Sequence, residues 1–238
     1  MNSQSLPTLC GQKLRDQRHV CAIFSSREEA RHTISEYLVE GYRRGHMALA
    51  MVNPSNTDET VSDLRAYSLD IDEATASGRF ALKTWHDTYF KHGSFSAEGM
   101  IQFVDASMRS ARDAGHSCVW ATGDMNWASS DTTTAIDLIE YEARLNHLKP
   151  RFGDDVWVCF YDSNLFSGRV IADIIRAHPV VLLGKHVFEN PCYTEPDVLV
   201  KELEQWKRKL EFADEALSKR ASWQQKHQEP ADAPMRDR

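Results

Sequence analysis

The chain has 238 residues, enough for one large domain or a domain with an appendage, and its 42 % hydrophobic and 26 % charged content is that of an ordinary globular protein. A formal charge of −7 argues against a broad phosphate-neutralising surface, and no apolar stretch approaches the ~20 residues of a membrane helix. Residues 1–17 lack the apolar run of a secretory leader, and five scattered cysteines suit a reduced compartment, so a cytoplasmic protein with neither membrane nor nucleic acid as direct partner is expected.

In chain order, residues 19–24 read as a first strand. Residues 27–43 carry Ala30, Ile34, Tyr37, Leu38 and Gly41 at helical spacing, with Ser26 and Glu29 placed as a capping box. A strand over 46–52 is closed by Asn53-Pro54, and a polar helix follows over about 57–67. Gly78 opens a strand over 79–84, which ends at Trp85-His86-Asp87. Residues 97–114 repeat Met100, Phe103, Val104, Met108 and Ala111 at helical intervals until Gly115 stops them. A strand over 117–122 runs into Gly123-Asp124-Met125-Asn126-Trp127. The helix over about 131–148 presents Ala135, Leu138, Ile139, Glu142 and Leu145, and Pro150 ends it. A strand over 156–161 leads to Asp162, a helix covers 167–177, and 180–187 reads as strand with Gly184-Lys185 as a turn or bulge.

This alternation implies an α/β fold of three layers, a mainly parallel sheet with helices on both faces, because parallel strands need crossover connections that cover the sheet. Ligands of such sheets bind beyond the carboxyl ends of the strands. That rule selects a rim of Ser25 and Ser26, Trp85 and His86, Gly123 to Trp127, and Tyr161 with Asp162. The first strand should feed a glycine-rich phosphate cradle, but no glycine lies between Gly11 and Gly41, and Ser25-Ser26-Arg27-Glu28-Glu29 turns straight into helix. A phosphate loop needs converging backbone N–H groups, a Lys and a Ser/Thr for Mg²⁺, so no ATP is expected.

Leu199, Leu203, Trp206, Leu210, Ala213 and Leu217 alternate steps of four and three, a heptad seam over residues 197–222. It reads either as a coiled-coil segment or as a terminal helix laid on the domain. Residues 223–238, rich in Gln, Asp, Pro and charge, read as a disordered tail.

His19 and Cys21 lie two apart on a strand and project to one face, a spacing that suits two ligands of a borderline transition metal, with Cys159 and His178 as companions. Plain packing is the alternative for the same residues. Asp124 and Asp162 are candidates for anchoring rim loops through backbone N–H groups or for orienting a polar ligand. Trp85 and Trp127 follow strand ends and, with Tyr161, offer rigid apolar walls to a small-molecule pocket. Trp120 and Trp157 lie within strands and read as packing. His86, Asp87, Asp124 and Asp162 near one rim allow a second reading, a metal-dependent hydrolase, and the heptad helix a third, a protein-interaction module. There is no G-x-S-x-G nucleophile elbow.

Five segments occur in order: His19-Val20-Cys21, Gly123-Asp124-Met125-Asn126-Trp127, Tyr141-Glu142-Ala143-Arg144-Leu145-Asn146, Cys159-Phe160-Tyr161-Asp162, and His178-Pro179 with Asn190-Pro191-Cys192-Tyr193. On these, residues 19–193 resemble the MEDS domain, a sensory domain of methanogen proteins and DcmR-type regulators and a divergent relative of the RecA/KaiC ATPases. The resemblance implies sensing rather than catalysis: a stand-alone protein that detects a small hydrocarbon derivative and signals to a regulatory partner. It also puts Asp124 where the ATPases hold Mg²⁺, a role without purpose once the phosphate loop is gone. The ligand-binding set expected is His19, Cys21, Trp85, His86, Asp124, Trp127, Cys159, Tyr161, Asp162 and His178. The residues before His19 are too few for a helix-turn-helix, so output is expected through a partner or through self-association over 197–222. The expected division is an extension over 1–18, the sensory domain over 19–196, the helix over 197–222 and the tail over 223–238.

Overall fold

The computed structural model describes residues 6–16, 18–129, 132–148, 151 and 154–227. A short hairpin, β1 (Thr8–Leu9) and β2 (Gln12–Lys13), opens the described chain. With two residues per strand it is too short to leave a period in the sequence, and it was not foreseen there. β3 (His19–Phe24) is buried along its whole length, as a continuous apolar run covered on both faces should be. It runs into α1 (Arg27–Arg43), where Ser26 Oγ accepts from the Glu29 N–H at 3.3 Å and so satisfies one of the free donors of the first turn.

After α1 come β4 (Met47–Val52), α2 (Thr57–Ala66), α3 (Ile71–Ala76) and β5 (Phe80–Thr84). Then follow α4 (Ala97–Asp113), β6 (Val119–Asp124), α5 (Thr132–Leu145), β7 (Val156–Asp162) and α6 (Gly168–Arg176). The six-residue α3, capped by Asp70, is a second element the sequence pattern did not reveal. Residues 180–187 divide at Gly184-Lys185, where a turn was one of the two expectations: β8 (Val180–Leu183) and β9 (His186–Glu189) form a hairpin that turns at Gly184 with φ +58°.

The main sheet has seven strands in the order β5-β4-β6-β7-β3-β8-β9, all parallel except the β8–β9 pair. Side chains alternate across it. Val20, Ala22 and Phe24 of β3, Ala48 and Ala50 of β4, and Val156 and Val158 of β7 join Tyr37 and Leu38 of α1, Leu64 of α2 and Ile71 of α3 in one core. The opposite face meets α4 and α5, where Leu49, Met51 and Cys159 lie with Val104, Met108, Tyr141 and Leu145. Trp120 of β6 is buried and stacks on Tyr37 at 5.0 Å between ring centroids. It lies so close to α1 that a Cβ on Gly41 would sit 2.7 Å from the indole, which explains a glycine in mid-helix. Each CH₂ buried in such a core contributes about 0.8 kcal/mol.

The chain divides into two compact units, residues 1–200 and 201–238. Helix α7 (Pro196–His227) begins in the first unit and forms the described part of the second. In the second unit Leu210 and Leu217 of the heptad seam, and Phe212 beside it, are exposed. The helix runs past the expected end at 222, and the expected tail beyond 227 lies outside the described residues. No helix of the described residues is long and apolar enough to cross a membrane.

Candidate functional site

Beyond the carboxyl ends of β3, β4, β6 and β7 lies an open cleft of about 260 Å³. Phe24, Ile34, Val52 and Leu165 give it apolar walls, and Ser26, Asn53, Asn56 and Asn126 uncharged polar ones. Its charged residues are Arg27, Arg31, Glu59, Asp63, Asp124 and Asp162. Two arginines against four carboxylates make a poor seat for phosphate, and both arginines are engaged. Arg31 bonds Asp63 at 2.7 Å and Glu59 at 2.6 Å, and Arg27 bonds Asn56 at 2.9 Å while pairing with Glu59.

Asp124 ends β6 and is buried at the cleft. Its carboxylate accepts from the Asn126 N–H at 3.0 Å, and its carbonyl accepts from the Trp85 indole N–H at 3.0 Å. Burial pushes the Asp124 carboxyl up to about 6, against the lowering effect of bonds from Asn126 and the Asn53 backbone. Asp162 accepts from the Asn164 N–H at 2.9 Å and from its side-chain amide at 2.8 Å, and the Asp162 N–H donates to Asn126 Oδ1 at 2.8 Å. Both aspartates therefore hold rim loops, with Asn126 joining them.

The remaining rim candidates fall elsewhere. Trp127 lies in the short helical turn Asn126–Ser129 and is buried in an aromatic packet, 4.4 Å from the Phe95 ring and 5.1 Å from Tyr89, not in the cleft. Trp85 holds the Asp124 carbonyl rather than facing a ligand. His86 and Asp87 are exposed, and the Asp87 carboxylate caps its own turn by accepting from the Thr84 N–H and hydroxyl at 2.9 and 2.7 Å. Those two bonds hold its carboxyl below the usual range. His86, Asp87, Asp124 and Asp162 do not gather into a metal-capable group among the described residues, which removes the geometric basis of the hydrolase reading.

Four metal-capable side chains do converge, in the interior. Parallel register sets Cys21 of β3 beside Cys159 of β7 and His19 beside Trp157. Glu142 comes from α5, and His178 from the junction of α6 and β8. Single ligand atoms of His19, Glu142, Cys159 and His178 all lie within 4.8 Å of one another, and all four residues are buried. Glu142 Oε2 is 3.0 Å from His19 Nε2, 3.3 Å from His178 Nε2 and 3.4 Å from Cys159 Sγ, and Sγ is 3.6 Å from His19 Nε2. The Tyr161 hydroxyl donates to the other carboxylate oxygen, Oε1, at 2.7 Å.

Of the expected metal set of His19, Cys21, Cys159 and His178, the structure gathers His19, Cys159 and His178 with Glu142, and Cys21 lies outside that group. The signal for Glu142 was present: it is a charged residue on the apolar stripe of its helix, where only a satisfied acid can stay. Burial would lift its carboxyl, but His178 and His19 outweigh burial and hold it well below the usual range. Burial first, and then His178, push His19 down, while burial and the Glu142 charge push the Cys159 thiol well up. Cys21, buried on β3 directly beside Cys159, is likewise pushed up by burial.

A mainly parallel seven-stranded sheet between helical layers, with its open cleft at the strand ends, defines an α/β domain of KaiC-like architecture. The KaiC-like protein PH0186 of Pyrococcus horikoshii OT3 superimposes with a TM-score of 0.52 over 74 % of this chain and 77 % of that one; at 9 % identity the likeness is one of fold. The chain belongs to the MEDS family, the MEthanogen/methylotroph, DcmR Sensory domain, whose family model matches residues 18–179. It is 24 % identical over 174 residues to the transcriptional repressor DcmR of Methylorubrum extorquens (strain DSM 6343 / CIP 106787 / DM4), covering 71 % of this chain and 61 % of the repressor. The chain therefore spans about three fifths of that relative's length. All four clustered residues lie inside the matched segment.

Proposed function

We propose that this sensory domain takes a small, weakly polar organic ligand in the strand-end cleft and reports its occupancy to a regulatory partner through α7. The cleft carries the reading. Its 260 Å³ lies just under the roughly 300–1,000 Å³ of common ligand pockets, the size for a molecule of a few heavy atoms. Apolar walls beside asparagines and a buried aspartate suit a short hydrocarbon bearing one polar group. The four carboxylates oppose a nucleotide.

Signalling requires that the ligand favour one conformation over another. Tyr161 offers a link, because it belongs to the cleft lining and its hydroxyl holds Glu142 in the interior. A regulatory output in trans, as in a repressor system, is the partner class that the DcmR likeness supports.

Thermal-shift screening tests this with short alcohols, aldehydes and halomethanes, and with Mg-ATP as the contrast. A small organic class should raise the melting midpoint, and Ala30→Leu, which fills the cleft from α1, should abolish the rise while keeping the far-UV spectrum. A rise with Mg-ATP, or none with any organic class, overturns the reading.

A further inference from the structure

The interior cluster is distinct from the cleft, and its hydrogen bonds leave one position calling for a cation. Asn146 Nδ2 donates to the carbonyls of Glu142, Ala143 and Ala177 at 3.1, 3.3 and 2.9 Å, which fixes the amide so that its oxygen faces His19 Nδ1 at 3.0 Å. His19 must then carry its proton on Nδ1. His178 Nδ1 faces the Ile174 carbonyl at 2.8 Å, and a carbonyl only accepts, so His178 too is protonated there. In neutral rings both Nε2 atoms are bare lone pairs, and both look at the same carboxylate oxygen. Lone pairs at 3.0 and 3.3 Å from a carboxylate repel it. Making one ring cationic gives the carboxylate a single Nε2–H bond and still leaves the other Nε2 lone pair against it, and making both cationic would place two charges at 4.2 Å between ring centroids without solvent. His178 Nε2 makes no hydrogen bond, although it is wholly buried and aimed into the group.

We infer that His19 Nε2, Glu142 Oε2, Cys159 Sγ and His178 Nε2 form a four-coordinate site for a borderline divalent ion of the Zn²⁺ class. Three independent features support it. Zinc bonds of about 2.0–2.3 Å in a tetrahedron put neighbouring ligand atoms roughly 3.3–3.7 Å apart. Four of the six separations here run from 3.0 to 3.6 Å, and all six stay within 4.8 Å. The donor set of two imidazoles, one thiolate and one carboxylate is too soft for Mg²⁺ or Ca²⁺ and suits zinc. One dication with one thiolate and one carboxylate sums to zero charge, which is what a site without solvent demands.

The surroundings are those of metal ligands. Each imidazole donates its far N–H to an oxygen, and the Tyr161 hydroxyl holds the carboxylate, so the outer hydrogen bonds that fix ligand orientation are in place. On binding, the Cys159 thiol loses its proton to solvent as the metal–sulfur bond forms; the two imidazoles and the carboxylate bind without losing one. Four protein ligands fill the shell, so the site is closed and joins β3, β7, α5 and the start of β8.

The test uses the full chain purified without a polyhistidine tag and stripped with a chelator. Titrated Co²⁺ should bind with one equivalent and give the visible bands of tetrahedral cobalt with a near-ultraviolet thiolate band. X-ray absorption of the Zn²⁺ form should show one sulfur near ~2.3 Å and three nitrogen or oxygen neighbours near ~2.0–2.1 Å. Cys159→Ser should remove the thiolate band and Cys21→Ser should keep it. Wild-type protein that folds yet takes up no equivalent of metal, a sulfur-free shell, or a thiolate band lost in Cys21→Ser and kept in Cys159→Ser would overturn the site. The wild-type spectra decide even if a variant does not fold. Because the organic-ligand screen is a separate measurement, failure here leaves the cleft reading standing.

Discussion

Asp124 at the cleft and Glu142 in the interior are both buried acids, and their environments drive them in opposite directions. Asp124 accepts from amides but faces no close cation strong enough to offset burial, and its carboxyl rises to about 6. Glu142 accepts from the Tyr161 hydroxyl and faces two imidazoles, which hold its carboxyl well below the usual range. Burial alone therefore says little about a carboxylate; the partners decide. One acid is left adjustable at an open cleft, as suits ligand recognition, and the other is fixed in the interior.

The largest test of this contrast is Glu142→Ala. It strips the cluster of its anion, leaves the Tyr161 hydroxyl without its acceptor beside two buried imidazoles, and should lower stability by about 3–5 kcal/mol in urea unfolding. Asp124→Asn should act in the other direction. A carboxyl whose folded pKa is raised from 3.8 to about 6 penalises folding increasingly across that interval and fully above it. The variant should thus be more stable than wild type at pH 7, by up to about 3 kcal/mol, with the difference gone by about pH 3. Equal stabilities at pH 7 would remove the proposed contrast. Tyr161→Phe keeps the ring and deletes one bond to Glu142. It should cost about 1 kcal/mol and, if the interior holds zinc, weaken metal affinity about 10–100-fold in competition with a chromophoric chelator. Arg27→Ala, at an exposed ion pair with Glu59, should change stability by no more than about 0.5 kcal/mol.

Much of the sheet was legible because its strands are continuous apolar runs and its helices carry caps. Residues 19–24 and 27–43 match β3 and α1 residue for residue. Strand alternation correctly put His19 and Cys21 on one face, yet the choice between Cys21 and Glu142 depends on where α5 lies over that face, which a period cannot give. The cluster draws on positions 19, 142, 159 and 178, joined only by parallel register and helix packing. Trp127 was misplaced because a helical turn after β6 rotates it away from the rim toward Phe95 and Tyr89. Gly123 belongs to that arrangement, since a Cβ there would sit 2.7 Å from the Tyr89 hydroxyl.

The ligand proposed above belongs in the strand-end cleft and not in the interior. Methyl-resolved NMR of the full chain, titrated with the compound that gives the largest thermal shift, measures this directly. The expected result is saturable shift changes at Ala30, Ile34 and Leu165 around the cleft. Changes confined to Met51 and Met108, which line the 20 Å³ void between the sheet and α4, or no saturable change at all, would contradict it.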